Sequence, residues 1–272
     1  MEKRLGLDQN GIYTASGSDA ALSYPNEGND FFYDLEETSF WFKHRNRIIE
    51  TLINKFPFKG NFADIGGGNG YQIQYLKEKF PDKTFYLIEP NYAGCLNARK
   101  RGIDEVYSVG FSDFPFIGKN VDGVGLFDVI EHIEDDVAFL SGLRTYLPTG
   151  SILYLTTPAF GSLWSDVDDY SGHFRRYTRK TIGKVMMDAG WTVDFTSYFF
   201  SYLPPLVWTL RCLPYKIRGS RSSEKIKASE KGHHSGSLSE KILAKLHKDE
   251  PKKLEAGYIR TGSSVLVVAT KK

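Results

Sequence analysis

Cysteine, net charge and long apolar runs are all scarce in this chain of 272 residues, and each scarcity removes a class of explanation. Cys95 and Cys212 are the two cysteines, and they stand far apart. That spacing suits neither a disulfide framework nor a cysteine metal or redox site, so both are expected as reduced packing residues. The formal net charge is +2, too small to argue for nucleic acid as a partner. The opening residues Met1-Glu-Lys-Arg-Leu-Gly-Leu-Asp contain no apolar core of a secretion signal, which makes the cytoplasm the default location. The longest apolar stretch, 198–213, is interrupted by Pro204-Pro205 and Arg211 and is too short to span a bilayer.

What is plentiful is core material. Hydrophobic residues make up 41% of the chain and aromatics 14%, enough for one sizeable α/β core. From residue 61 onward, short apolar or β-branched runs (62–65, 84–88, 105–109, 121–126, 151–156) alternate with helical periodicity. This predicts a mainly parallel sheet with helices on both faces. Within 135–147, Phe139, Leu140, Leu143 and Leu147 share one helical face, as do Ile182, Val185, Met186 and Ala189 further on. Two late strands are expected at 192–199 and 264–270. The second is so apolar that it must lie between neighbours.

The organisation expected is an N-terminal segment and cap helix over 1–60, then a core over 61–272 carrying a substrate-side loop at 157–177 and a mobile insertion at about 214–250, in which 238–248 recovers a helical face through Leu238, Ile242, Leu243 and Leu246. Residues 1–29 read as irregular. The aromatic and basic run Phe40-Trp41-Phe42-Lys43-His44-Arg45 leads into a helix over 45–56, and suits equally a core anchor or a pocket cover.

The most informative stretch is 61–70, Asn-Phe-Ala-Asp-Ile-Gly-Gly-Gly-Asn-Gly, followed by Glu89 at the end of the next apolar run. A strand, a glycine turn and a helix start leave backbone N–H groups aimed at a ligand, and an acid on the neighbouring strand tip can take both hydroxyls of a ribose. The glycines at Gly66, Gly67, Gly68 and Gly70 do not fit the dinucleotide spacing, because Tyr71 stands at its third glycine position. Asp64 before them would repel an anion and welcome a cationic amino-acid ligand.

This stretch resembles the first motif of class I S-adenosylmethionine-dependent methyltransferases. The run Asp128-Val129-Ile130-Glu131-His132 resembles the Asp-Val-Leu-Glu-His segment common in one large branch of that family, including bacterial small-molecule enzymes. The resemblance covers about residues 40–200 together with the terminal strand. It implies a Rossmann-like, doubly wound, seven-stranded sheet with an antiparallel terminal strand. It also implies a cofactor site of Asp64, the glycine turn, Glu89, Pro90, Phe111, Phe127 and Asp128. Relatives often carry an acid after the third core strand to hold the adenine amino group. Here Gly110-Phe111-Ser112-Asp113 follows Val109, leaving Asp113, a backbone group or the face of Phe111 for that job. The Asn/Asp-Pro-Pro-aromatic motif of amino-methylating DNA enzymes is missing, which argues against DNA.

The loop over 157–177 resembles the Gly-His-x-Arg-Arg-Tyr-Thr segment of bacterial methyltransferases associated with cell-envelope or glycan pathways. Trp164, Tyr170, Arg175, Arg176 and Tyr177 are the candidate substrate contacts, the arginines either gripping an anionic substrate or pairing with local acids. His173 is the first candidate base and His132 the second, against structural roles as a loop pin and a helix tether. Asp166, Asp168 and Asp169 do not complete an oxygen-ligand motif, so no required metal is expected.

The reading is therefore methyl transfer from S-adenosylmethionine to a small-molecule or glycan/lipid-linked acceptor, oxygen ahead of nitrogen. An NAD(P)-dependent oxidoreductase and a non-catalytic cofactor-binding adaptor are the alternatives. A homodimer is possible. The aromatic and basic stretch 198–218 is expected to fold back as a lid or dimer contact, with weak peripheral membrane association at most.

Overall fold

Side-chain alternation along the strands builds the architecture, because each central strand feeds two separate cores. The computed structural model describes residues 5–15, 33–226 and 238–272. The chain opens with a hairpin of β1 (Leu5–Leu7) and β2 (Tyr13–Ala15). There follow β3 (Asn61–Ile65), β4 (Phe85–Ile88), β5 (Val106–Ser108), β6 (Val121–Phe127), β7 (Ile152–Pro158), β8 (Thr192–Phe199) and β9 (Ser264–Thr270). The sheet runs β1-β2-β5-β4-β3-β6-β7-β9-β8. Strands β2 to β7 pair in parallel, whereas β9 is antiparallel to both β7 and β8.

Ala63, Ile65, Leu153, Leu155, Val265 and Val267 enter one core, and their sequence neighbours Phe62, Tyr154, Leu266 and Val268 enter the other. That period of two places helices on both faces. Helices α1 (Phe40–Lys55), α2 (Tyr71–Lys79) and α3 (Tyr92–Lys100) cover the second core, and α4 (Asp136–Thr145) and α6 (Arg179–Asp188) cover the first. Between them, α5 (Asp166–Ser171) lies within the 157–177 loop.

The sheet has nine strands where seven were expected. The surplus is the β1–β2 hairpin, whose strands are too short to show alternation. It is held at the edge by pairing of β2 with β5 and by Tyr13 stacked on Tyr107 at 4.5 Å. Helix α1 begins five residues before the expected start because the Ser39 hydroxyl accepts the Trp41 N–H and caps it.

The expected mobile insertion is largely helical where it is described. α7 (Leu203–Val207), a wide turn at Trp208–Cys212 and α8 (Leu213–Arg218) form one arm, and α9 (Leu238–Leu246) and α10 (Glu250–Ala256) a second. Residues 227–237, the centre of that expectation, lie outside the described residues, as do 16–29 of the segment read as irregular. No described helix is long and apolar enough to cross a membrane.

Candidate active site

Strand order reverses beside β3, and that reversal opens a crevice at the carboxyl ends of β3, β4 and β6. The turn after β3 enters it with Gly66, Gly68 and Gly70 all at positive φ. A Cβ on Gly70 would lie 2.3 Å from Ile103 Cδ1, so glycine lets α2 pack down there. A Cβ on Gly68 would meet nothing within 4 Å, so this glycine faces open space at a φ of 54°.

Asp64 is 1% exposed, and neither carboxylate oxygen has a hydrogen-bond partner among the described residues. Burial pushes its pKa up to about 7, with Arg45 opposing and Glu89 adding to the rise. Glu89 accepts from the Gly68 N–H at 2.9 Å and the Asn91 N–H at 2.7 Å, which ties the strand tip to the glycine turn. Its pKa is also raised, burial outweighing those two bonds. Pro90 follows on the same rim, its carbonyl within 3.5 Å of the Ser108 hydroxyl.

Asp128 follows directly on β6 at a φ of +58°, a left-handed conformation that costs a non-glycine residue energy and recurs at functional sites. One of its oxygens pairs with Arg45 from α1, and the other has no hydrogen-bond partner among the described residues. The Arg45 guanidinium lies 4.6 Å from the Trp41 ring and 5.3 Å from the Phe42 ring, and Trp41 stacks on Phe200. The aromatic run that opens α1 thus anchors in the core and at the same time delivers a guanidinium to the crevice. Glu36 adds a second link, pairing with Arg101 at 3.1 Å and taking Asn69 Nδ2 of the glycine turn at 3.4 Å. Glu36 carries no sequence signal and Arg45 none beyond its place in the aromatic and basic run, because their partners lie on distant elements.

Two expected cofactor contacts use their rings elsewhere. Phe127 is buried and stacked parallel to Phe62, so its side chain belongs to the core. Phe111 packs edge-on against Phe139 and Tyr146.

On the opposite side of β6, Glu131, His132 and His173 converge. The Phe174 N–H donates to the Glu131 carbonyl at 2.8 Å, drawing the 157–177 loop onto the turn after β6. The His132 and His173 rings meet edge to face at 4.7 Å. Burial, then the neighbouring His173, lowers His132 to a pKa of about 4. Glu131 is fully buried; desolvation and the charge of Asp128 hold its carboxyl far above the usual range. His173 Nδ1 lies 2.9 Å from Asp168, and Arg176 grips the same carboxylate through Nε at 2.7 Å and a second nitrogen at 3.0 Å.

Arg176 is therefore committed to Asp168, and Arg175 to Asp136 at 2.9 Å and the Glu134 carbonyl. Both follow the local-acid alternative rather than waiting for a substrate anion. Tyr177 is 2% exposed and donates to Asp136, a core role in place of the expected substrate contact. Trp164 donates to Asp169 at 2.9 Å and Tyr170 is half-buried on the same short helix, α5. The three loop acids separate: Asp166 takes Arg221, Asp168 takes His173 and Arg176, and Asp169 takes Trp164 and Tyr215. Through Tyr215 and Arg221 the arm over 203–226 is latched onto this loop.

A family profile described as a methyltransferase domain matches residues 39–194. No curated protein matches the chain. Among solved structures, phosphoethanolamine N-methyltransferase 2 of Haemonchus contortus, with phosphomonomethylethanolamine and S-adenosylhomocysteine, is 16% identical with a TM-score of 0.55. The alignment covers 92% of this chain and 58% of that one, so this chain spans little more than half the length of the Haemonchus enzyme. Geranyl diphosphate C-methyltransferase of Streptomyces coelicolor aligns at 16% identity and a TM-score of 0.52, covering 82% and 76% of the two chains. A methyltransferase of Thermotoga maritima, described as a possible histamine N-methyltransferase, aligns at 14% identity and 0.52 over 91% and 96%. At these identities the three establish a shared fold. The profile spans more than half the chain and contains the glycine turn, Glu89, the Asp128–His132 turn and the His173 loop, and on that match the chain belongs to the methyltransferase domain family.

Proposed function

We propose that this protein transfers a methyl group from S-adenosylmethionine to an oxygen of a small-molecule or glycan/lipid-linked acceptor. The observation that carries the reading is Asp64, a buried acid whose two oxygens have no hydrogen-bond partner among the described residues, beside a glycine turn that leaves room for a ligand. An amino-acid ammonium is the chemistry such a group lacks, and structural relatives of this fold are described with S-adenosylhomocysteine or S-adenosylmethionine bound. Asp64 and the Gly68 turn would hold the methionine part, Glu89 the ribose hydroxyls, and Asp128 the ammonium from its second side.

When bound, S-adenosylmethionine supplies the methyl group on a sulfonium, whose C–S bond breaks with the pair staying on sulfur as the acceptor oxygen forms the new C–O bond. The chain's own task is to align the acceptor and handle its proton. An oxygen acceptor fits best, because a hydroxyl must shed its proton whereas a neutral amine already offers a lone pair. The His173–Asp168 pair would serve as the base, with Nδ1 engaged by Asp168 and Nε2 left for chemistry.

Calorimetry with S-adenosylhomocysteine and with NAD, followed by transfer of labelled methyl groups to hydroxyl and amine acceptors, tests the reading. Binding of NAD alone would replace it with an oxidoreductase. Cofactor binding with no turnover on any acceptor would leave an adaptor.

A further inference from the structure

The acceptor side holds a group that proton handling alone does not explain. One ligand atom from each of Glu131, His132 and His173 lies within 4.8 Å of the other two. Glu131 Oε2 takes the Thr157 hydroxyl at 3.0 Å, while Oε1 is buried with no hydrogen-bond partner among the described residues. A wholly buried acid oxygen beside two imidazoles with no hydrogen-bond partner among the described residues is costly in a plain hydrogen-bond network.

The surrounding groups are arranged as around a metal ligand. Asp168 receives His173 Nδ1 and is itself fixed by the Arg176 fork, so it sets the ring's orientation and makes Nε2 the nitrogen available to coordinate. A carboxylate behind an imidazole is the usual outer support of a metal-binding histidine. The backbone bond from Phe174 to Glu131 holds the two loops that supply the ligands together.

We propose that Glu131, His132 and His173 form a binding site for one divalent transition-metal ion of the Mn²⁺, Co²⁺ or Zn²⁺ class. Two imidazoles and one carboxylate suit these ions, whereas Mg²⁺ and Ca²⁺ favour oxygen ligands throughout. Metal–ligand bonds of about 2.0–2.2 Å call for ligand atoms roughly 3–3.5 Å apart, so rotation of the side chains by about an ångström closes the site. Three protein ligands leave a position for the acceptor. A hydroxyl coordinated there has its pKa lowered and passes its proton to water, after which its oxygen lone pair is free to attack the methyl group. The ion then takes over activation of the hydroxyl from the His173 ring. The chemical role rests on the methyltransferase reading; the binding site does not.

The full chain, stripped with chelator, is titrated with Mn²⁺, and the free ion is followed by electron paramagnetic resonance. One Mn²⁺ per chain is expected. Glu131→Gln and His173→Ala should each weaken binding more than about tenfold, and Asp168→Asn by about ten- to a hundredfold. Asp169→Asn, which alters a neighbouring acid outside the site, should leave it unchanged. Circular dichroism verifies folding, and where His173→Ala does not fold, the near-isosteric Glu131→Gln decides. No saturable binding of Mn²⁺, Co²⁺ or Zn²⁺, or wild-type affinity in Glu131→Gln, overturns the site. S-adenosylhomocysteine binding to the stripped protein is measured in parallel; its absence beside stoichiometric Mn²⁺ binding overturns the methyltransferase reading and leaves the metal site standing.

Discussion

Asp64 is an acid held where ionisation is unfavourable, and its titration gives the sharpest test of the cofactor side. Its folded-state pKa of about 7 is above the ordinary 3.8, so its stabilising contribution is complete below about pH 4 and is lost as pH rises through 7. Asp64→Asn should therefore stabilise the unliganded protein at pH 8 by on the order of 2–4 kcal/mol and do little at pH 4, read from urea unfolding. A ligand ammonium beside Asp64 favours the charged form, so S-adenosylhomocysteine affinity should rise about tenfold per unit between pH 5 and 7 and then level off. Affinity that is flat across that range, and equal in Asp64→Asn, would remove Asp64 from the site. Glu89→Ala frees the Gly68 and Asn91 N–H groups and deletes the ribose acceptor; losing charge-assisted bonds of about 1.5–3 kcal/mol each should weaken cofactor binding on the order of a hundredfold. Calorimetry showing wild-type affinity would reassign that strand tip. Asp64, Glu89 and the glycines were legible because their spacing along one strand, turn and strand is local. Arg45, Glu36 and the inward turn of Phe127 were not, since each depends on which distant element arrives opposite.

Among the elements, α1 and α10 depend on one buried contact that spans 206 residues of sequence. Glu250 is fully buried, yet it accepts from His44 Nε2 at 2.8 Å, the Phe200 N–H at 2.9 Å, and the N–H and hydroxyl of Ser201, both at 2.6 Å. Burial alone would raise its pKa, but these donors outweigh it and hold the carboxyl at about 2. A depressed acid contributes its stability above the unfolded value of about 4.5 and loses it as pH falls toward 2. Glu250→Ala strands four donors, and should cost about 3–5 kcal/mol at pH 7 in chemical unfolding. A loss below about 1 kcal/mol would show the junction to be incidental. Periodicity revealed the core strands and the helical faces over 135–147 and 182–189, but it showed neither the short helices α5, α7, α8 and α10 nor that the arm over 203–218 returns to the substrate-side loop. That arm buries Cys212 and leaves Leu206, Leu210, Leu213 and Ile217 exposed at helical spacing, with Lys216 and Arg218 beside them. Tyr215–Asp169 and Arg221–Asp166 hold it against the 157–177 loop, the contact that the proposed lid role requires. Co-sedimentation with anionic vesicles should accordingly be weak and lost at high salt. Strong binding that survives salt and disappears when Trp208 and Leu210 are made polar would instead make the arm a membrane anchor.

At the scale of the whole molecule, a mainly parallel sheet covered on both faces could be anticipated from alternating β and α signals, and the apolar run at 264–270 marked a strand that needs neighbours on both sides. The β1–β2 hairpin escaped notice because its two short strands bury only Ala15, whereas the equally short β5 buries Val106 and Tyr107. β9 supplies the point at which the sheet is closed off: each of its seven residues is in register with β7 on one side, and the strand pairs with β8 on the other. Its side chains also divide between the cores, Val265, Val267 and Ala269 into one and Leu266 and Val268 into the other. Damage to β9 must therefore reach both layers at once. Leu266→Ala should lower stability by about 2–5 kcal/mol, the range for truncating a buried aliphatic side chain. Removing 263–272 should do far more, because β7 loses its outer partner and β8 its only one, leaving two apolar edges ready to aggregate. The shortened chain is expected in the insoluble fraction, with no S-adenosylhomocysteine-binding species recovered. A soluble product with native circular dichroism and cofactor affinity would show that the parallel half of the sheet folds alone, and would confine β9 and β8 to shaping the acceptor side.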